Sequence, residues 1–403
     1  MPQALKNYLL CIALTLLLCG LFLGLLTLSY SYGGETLYRN TRAALETIQK
    51  EGDYPIYFFE AFPERYRLPA QGDNYSDSVI LERAGFRAQN ALLDALDMQK
   101  YARYWHGYVA LLRPLLCLMS YENIRLLMMA LFSLLCGVSL LQLYRQFGSL
   151  LALCFGLSLM ILQGFIIPSS PQYFVCFAIA LAAMNLVLCY APKKTLHTRS
   201  VLLFFTLIGA LTSFLDLLTV PLITFGLPLL MLLAIEAKAQ RQSSPLLRGT
   251  QAALAWLIGF GLNWALKWVL ASSLLEYDVL TEAKAQALFR MAQQEGLGSS
   301  QIGAVVINLN NLLHFVGIGY LAFCLLLLIL ALIRGKIRSK AFFLTHCLLL
   351  IAPYVWFAVL SNHSQIHAWF TFRTQIITLL GLPLLALSLV DFQQEQLCIW
   401  KKR

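Results

Sequence analysis

Long runs of apolar residues alternate with short polar segments along this chain of 403 residues. Each run holds roughly the 20 residues that an α-helix needs to cross a hydrocarbon core of about 30 Å. The runs show neither the one-sided stripe of an amphipathic helix nor the alternation of a half-buried strand. Because a helix satisfies its own backbone hydrogen bonds in lipid, the pattern predicts an all-α polytopic membrane protein with about ten transmembrane helices. The predicted spans cover residues 7–29, 122–145, 148–167, 172–191, 200–215, 219–236, 252–272, 311–333, 341–360 and 374–392.

Two segments between the predicted spans are long, residues 30–121 and 273–310, and the others are short. Because binding and catalytic residues concentrate in loops held by a rigid scaffold, we expect function in these two segments of a single membrane domain, residues 1–403. The first segment combines an amphipathic, an irregular, a helix-like and an apolar stretch, at Thr36–Gln49, Gly52–Gly72, Asp77–Leu96 and Tyr104–Met119. The second segment contains a polar helix, Thr281–Gln294.

The composition excludes an ordinary soluble domain. Hydrophobic residues make up 59% of the chain and charged residues 12%, whereas a soluble globular domain carries about 25% charged residues. The formal net charge of +10 does not indicate nucleic-acid binding, because the basic residues stand in short segments and form no basic patch with interleaved aromatic residues. The lipid bilayer is therefore the expected environment, and no nucleic-acid partner is expected.

Charged residues are distributed unequally between alternate segments. If both termini are cytoplasmic, the inner segments hold fifteen basic and three acidic residues, a net charge of +12. The outer segments and helix ends then hold fifteen basic and seventeen acidic residues, a net charge of −2. Because basic residues accumulate in cytoplasmic loops, the sequence predicts a multi-pass protein of the plasma (inner) membrane in a cell envelope. Its N-terminus and C-terminus are cytoplasmic, and both long segments lie outside.

The apolar stretch Tyr104–Met119 decides the direction of every later span. It has only sixteen residues, with Arg113 and Pro114 in its middle, and a span there would turn the later basic clusters outward. We therefore predict an interfacial or re-entrant helix on the outer face, with Trp105 and Tyr108 at the headgroup level, where aromatic residues are enriched.

Two carboxylates, Asp73 and Asp77, stand four residues apart in the first long segment. A carboxylate ahead of a helical run commonly caps the helix, so Asp77 or Ser76 is a candidate cap. The alternative is catalytic, because a carboxylate near the outer membrane surface can act as a general base that removes a proton from an acceptor hydroxyl. Glu35 and Glu60 are weaker candidates for the same role.

Ionisable residues inside or beside apolar runs are costly and are therefore candidates for function. Asp216 lies in a turn between two predicted spans, where it either ends a helix or faces a substrate or an ion partner. Lys267 lies one turn inside a predicted span. Three roles are open for Lys267: its side chain extends to the outer interface, it pairs with Asp216, or it binds the same anion as Arg373.

The densest polar cluster on the predicted outer face covers residues 362–373. His363 and His367 are four residues apart and would share one side of a helix, a spacing that suits a metal, but no third ligand stands nearby in the sequence. We therefore predict no cofactor and leave a divalent metal open. Arg373, with one or both histidines, is the better candidate for binding a phosphate. The alternative is that Arg373 extends its charge to the lipid headgroups.

A single helix, a long outer segment with an interfacial helix, and many spans joined by short loops resemble the GT-C class of polyprenyl-phosphate-sugar glycosyltransferases. The resemblance rests on Asp73 and Asp77, on residues 101–108 leading into the interfacial helix, and on residues 363–373. After the first helix the chain offers only Glu35, where better-known members carry an acidic pair.

The resemblance implies a role for each of these residues. Asp77, then Asp73, would be the catalytic carboxylate in the first outer segment. The expected ligands of the donor phosphate are Arg373, Lys267, His363 and His367, and the expected substrate-binding residues are Asp216, Tyr104 and His106.

The function that the resemblance implies is transfer of a sugar from a polyprenyl-phosphate donor to an unidentified acceptor on the outer face of the membrane. Alternatives are a transporter or flippase for a lipid-linked or polar substrate, a polysaccharide polymerase or ligase, and a non-catalytic membrane scaffold. A transporter is expected to show repeats and broken helices around a midplane site. Here the charged residues gather at the outer rim, which favours interfacial chemistry.

Overall fold

The computed structural model describes residues 2–57, 67–239, 241, 244–292, 300–334, 337 and 339–389. Within these ranges the chain forms nineteen α-helices and no β-strand, with one isolated β-bridge between Ile56 and Gln71. The predicted all-α class is therefore confirmed. A π-helical turn, Ile258–Leu262, joins two of the helices into one continuous stretch.

The helices differ widely in length. In chain order they are α1 (Gln3–Ser31), α2 (Glu35–Glu51), α3 (Asn74–Ala84), α4 (Ala91–Asp97), α5 (Val109–Leu118), α6 (Tyr121–Phe147), α7 (Ser149–Ile161), α8 (Pro171–Tyr190), α9 (Thr198–Leu215), α10 (Leu222–Lys238), α11 (Pro245–Leu257), α12 (Asn263–Leu274), α13 (Val279–Met291), α14 (Gln301–Leu312), α15 (Phe315–Arg334), α16 (Lys340–Val359), α17 (Ser361–Ile366), α18 (Ala368–Thr371) and α19 (Ile376–Leu389).

Eight helical stretches in the described part of the chain are long and apolar enough to cross a membrane. The chain is therefore a multi-pass membrane protein, as its composition predicts. The eight stretches are Gln3–Ser31, Tyr121–Phe147, Pro171–Tyr190, Thr198–Leu215, Pro245–Leu274, Val316–Ile333, Lys340–Val359 and Ala368–Leu387.

The other two predicted spans correspond to shorter helices. Helix α7 has 13 residues, which at 1.5 Å per residue is about 20 Å and shorter than a hydrocarbon core. Helix α10 has 17 residues, close to the minimum for a span. It is buried along nearly its whole length and packs against α8 and α19, as expected for a helix that is apolar on every side.

The predicted interfacial helix is shorter than expected and its aromatic residues are placed differently. Helix α5 has ten residues and contains Pro114, so at about 15 Å it cannot cross a bilayer alone. Trp105 and Tyr108 do not extend from the surface to contact headgroups, because both side chains are buried inside the protein. The indole Nε1 of Trp105 donates to the backbone carbonyl of Asn263 at 3.0 Å.

The helix-like stretch predicted over Asp77–Leu96 is two helices, α3 and α4, with a break that begins at Gly85. Gly85 packs closely on α2, since a Cβ atom at this position would overlap the side chain of Thr41. In the second long segment, α13 matches the predicted polar helix, and a further helix, α14, precedes the next span.

Candidate functional site

Asp73 and Asp77 lie at the start of α3, and both side chains are buried. Asp73 is the N-cap, because its Oδ1 accepts a hydrogen bond from the backbone N–H of Ser76 at 3.0 Å. The sequence offered Asp77 or Ser76 as the cap. The helix begins at Asn74, however, so Asp77 lies within its first turn, and its carboxyl group is not used to cap α3.

The carboxyl group of Asp77 contacts the N-terminus of α8 instead. Its Oδ1 accepts a hydrogen bond from the hydroxyl of Ser170 at 2.8 Å and lies 3.5 Å from the backbone nitrogen of Gln172. Its Oδ2 is buried and has no hydrogen-bond partner among the described residues. The Oε1 atom of Gln172 is also buried, with no partner in the part of the chain that the structure describes. We call Asp73, Asp77, Ser170 and Gln172 the carboxyl site.

Burial has a strong effect on the protonation of the carboxyl site. It raises the pKa of Asp77 to about 8, with a smaller contribution from neighbouring Asp73 and an opposing contribution from the Ser170 hydrogen bond. Burial also raises the pKa of Asp73. Asp77 is therefore largely protonated at neutral pH, and its charged form is a stronger base than an ordinary carboxylate.

The two weaker catalytic candidates lie elsewhere. Glu35 is exposed and forms an ion pair with Arg87 at 3.1 Å. Glu60 lies outside the described residues.

Arg373 is fully buried, and its guanidinium group donates to three backbone carbonyl groups. Nε bonds to Leu162 at 3.0 Å, NH1 to Trp369 at 2.9 Å and NH2 to Pro69 at 2.9 Å. The guanidinium also stacks over Tyr173. Arg373 thus joins the first long segment to the end of α7, and a phosphate would have to replace these carbonyl groups to bind there.

His363 and His367 lie close together, with ring centroids 4.9 Å apart. Burial lowers the pKa of His363 well below its usual value and that of His367 to about 4, so both rings are neutral at pH 7. Nε2 of His363 is 2.9 Å from the carbonyl oxygen of Leu218. Among the described residues, no three His, Cys, Asp or Glu side chains form a group that could hold a metal ion.

Lys267 and Asp216 are both buried but bond to different groups. The amine of Lys267 donates to the carbonyl of Leu96 at 2.5 Å, at the end of α4. The carboxyl oxygens of Asp216 accept from the backbone N–H of Thr219 at 2.9 and 3.1 Å. Burial raises the pKa of Asp216 to about 6. The hydrogen bonds do not support the predicted pairing of Lys267 with Asp216.

His106 and Tyr104 lie in the buried segment between α4 and α5. Nε2 of His106 donates to the carbonyl of Tyr101 at 3.0 Å, so Nδ1 accepts from the hydroxyl of Tyr108 at 2.6 Å. Tyr104 instead lines a cavity, together with Leu218 of the Asp216 turn.

Three residues that contact the predicted site residues, Ser170, Gln172 and Arg290, were not predicted from the sequence. Ser170 and Gln172 flank Pro171 at the start of a predicted span, and Arg290 stands in the polar second segment. Ser-Pro ahead of an apolar run is a recognisable helix start. In the structure, NH1 of Arg290 lies 2.6 Å from Nδ1 of His363. No local signal in the sequence links Ser170 to Asp77 or Arg290 to His363.

No protein-family model, curated protein or solved structure matches this chain. The function is therefore inferred from the geometry of its own residues.

Proposed function

We propose that this chain is a membrane glycosyltransferase that transfers a sugar from a polyprenyl-phosphate donor to an acceptor hydroxyl on the outer face of the membrane. The observation that carries the proposal is the carboxyl group of Asp77. It is fully buried, one of its oxygens is held by Ser170, and the other has no partner among the described residues. A carboxylate in this state is suited to remove a proton from a hydroxyl group.

The protonation state of Asp77 supports the same role. A general base works best when its pKa lies near the operating pH, and burial brings the pKa of Asp77 to about 8. A lipid phosphate is itself a leaving group that needs charge stabilisation, so the enzyme must supply a base and a cation. Because Asp77 has no exposed surface, the mechanism requires the residues covering it to move when an acceptor binds.

We propose a membrane topology of ten spans. These are the eight longer stretches together with α7 and α10, and α5 lies at the outer surface. Both termini would be cytoplasmic, in the plasma membrane, on the basis of the +12 net charge of the inner segments. The carboxyl site, where the first long segment meets the N-terminus of α8, would then face the outer side.

Replacing Asp77 tests the proposal directly. Lipid-linked sugars would be extracted from cells that lack the protein and from cells that express the wild type, Asp77→Asn or Glu82→Gln. Glu82 is an exposed carboxylate of the same helix, so Glu82→Gln is a matched control. We expect the lipid-linked precursor to accumulate in the deletion and in Asp77→Asn, and to be consumed in the wild type and in Glu82→Gln.

Normal consumption of the precursor by Asp77→Asn would rule out Asp77 as the base. If no lipid-linked precursor accumulates in the cells that lack the protein, the result would contradict the transferase proposal and favour a non-catalytic membrane scaffold. Membrane levels of each variant, measured by immunoblot, separate loss of chemistry from loss of protein.

A further inference from the structure

A cavity of about 130 Å³ lies between the segment before α5, the turn after α9, and helices α12, α13 and α16. Its walls are mainly apolar and include five aromatic side chains, and two arginines reach it. We call it the arginine pocket, and its charged and aromatic lining residues are Arg103, Arg290, Tyr104, Phe260, Trp264, Trp268 and Trp356. It is distinct from the carboxyl site, with which it shares no residue.

The charge of Arg290 is not neutralised by its hydrogen-bond partner. NH1 of Arg290 lies 2.6 Å from Nδ1 of His363, whose Nε2 faces the carbonyl of Leu218. Because a carbonyl oxygen only accepts, Nε2 carries the proton and Nδ1 accepts from Arg290. The imidazole is therefore neutral, and the four ion pairs among the described residues do not include Arg290.

Two N–H groups in the pocket lack acceptors among the described residues. Arg103 pairs with Glu282 at 2.8 Å, yet its Nε atom is buried with no partner among the described residues. The indole Nε1 of Trp264 is buried and unpartnered in the same way. The nearby carboxyl group of Asp216 is engaged by the backbone of Thr219. Among the described residues, the pocket thus combines the charge of Arg290, which has no carboxylate partner, with two buried N–H donors that have no acceptor. Such buried donors are costly unless a ligand supplies an acceptor.

We propose that the arginine pocket binds the phosphate group of an amphipathic lipid. A guanidinium fork can hold two phosphate oxygens at once, and indole rings combine a large apolar surface with a polar edge. The phosphate would contact Arg290 and Arg103, and the apolar tail would lie against Trp264 and Trp268. This proposal does not require that the chain transfers a sugar, and a glycerophospholipid or an isoprenyl phosphate could supply the same chemistry.

The proposal is tested by measuring how small probes bind to the full chain in a neutral detergent, with tryptophan fluorescence as the readout. The probes are dodecyl phosphate, inorganic phosphate and dodecanol. We expect dodecyl phosphate to bind at least tenfold more tightly than the other two. Arg290→Gln should weaken its binding at least tenfold, whereas Lys284→Gln should not, because Lys284 is an exposed cation of the same helix, α13. Equal binding by wild type and a folded Arg290→Gln would overturn the proposal.

A second variant keeps the test decisive if Arg290→Gln does not fold. Ala287 lines the cavity without a charge, so Ala287→Leu should reduce the space for the tail and weaken dodecyl phosphate binding while leaving the Arg290 contacts intact. Unchanged affinity in Ala287→Leu would contradict binding in this cavity. Farnesyl phosphate and a short-chain phosphatidylglycerol are then compared to identify which class of lipid supplies the phosphate. Failure of both to bind more tightly than dodecanol would also overturn the proposal.

Discussion

The hydroxyl group of Ser170 donates a hydrogen bond to Oδ1 of Asp77 at 2.8 Å, which joins the N-cap of α8 to the first turn of α3. The two residues are 93 positions apart. The contact brings a carboxyl group of the first long segment to the positive end of a membrane-spanning helix, where a negative charge is stabilised. Burial nevertheless has the larger effect, since the pKa of Asp77 is raised to about 8.

This raised pKa predicts how the stability of the protein depends on pH. Between its ordinary pKa of 3.8 and about 8, Asp77 holds a proton in the folded state and loses it in the unfolded state. The contribution of Asp77 to stability therefore falls as pH rises through this window, by at most about 1.4 kcal/mol per pH unit. We expect the thermal unfolding midpoint of the wild type to fall between about pH 7 and pH 8, and the midpoint of Asp77→Asn to fall less over the same range. An identical pH dependence in wild type and variant would contradict a buried, protonated Asp77.

The same pKa predicts the pH dependence of sugar transfer. If ionised Asp77 is the base, the rate should rise with pH until about 8 and then level off. The measurement is the initial rate of transfer by purified protein between about pH 6 and pH 9. A rate that falls over this range would indicate that a protonated group is required instead.

Asp73 is expected to act mainly as a helix cap. Replacing it by Ala should cost about 1 kcal/mol, because the N–H of Ser76 loses its acceptor, whereas Asn caps equally well. We therefore expect Asp73→Asn to unfold at the wild-type temperature and to retain transfer, and Asp73→Ala to unfold earlier. Loss of transfer in a stable Asp73→Asn variant would instead assign Asp73 to the chemistry.

Arg373 is expected to be required for stability. Lys cannot bond to the carbonyl groups of Leu162, Trp369 and Pro69 together, and each buried carbonyl left without a donor costs about 1–3 kcal/mol. Arg373→Lys should therefore lower the unfolding midpoint in detergent clearly, and Arg373→Ala should lower it further. The predicted role in phosphate binding requires a different result, namely a folded Arg373→Lys variant with wild-type stability and weaker binding of a polyprenyl-phosphate analogue.

The proposed orientation can be tested by cysteine labelling in a cysteine-free background. Thr195 and Ser339 are exposed and should be labelled only from the cytoplasmic side, and Asp278 is exposed and should be labelled from outside. Ser364 is predicted to face the outside as well but is buried, so Asp278 is the better reporter. Labelling of residue 195 from outside would reverse the assignment of the later segments.

The sequence by itself determined the class of this protein. Apolar runs of membrane-crossing length, with few charges inside them, define a helical membrane protein because hydropathy is a local property of the chain. The bounds of α1, α6, α8 and α16 follow their predicted spans to within a few residues. The first long segment contains helices, as expected, although the stretch predicted as one helix over Asp77–Leu96 is divided into α3 and α4.

Only the tertiary structure decided which polar groups meet. Arg373 contacts Pro69 from 304 residues away, and Arg290 contacts His363 from 73 residues away. Neither pairing has a local signature, because both depend on how helices and loops pack. The sequence predicted Asp77, in the first long segment, and Arg373, beside the last apolar run, as site residues. The structure then shows that one carboxyl oxygen of Asp77 is buried without a partner among the described residues, whereas the guanidinium group of Arg373 makes its hydrogen bonds to backbone carbonyls.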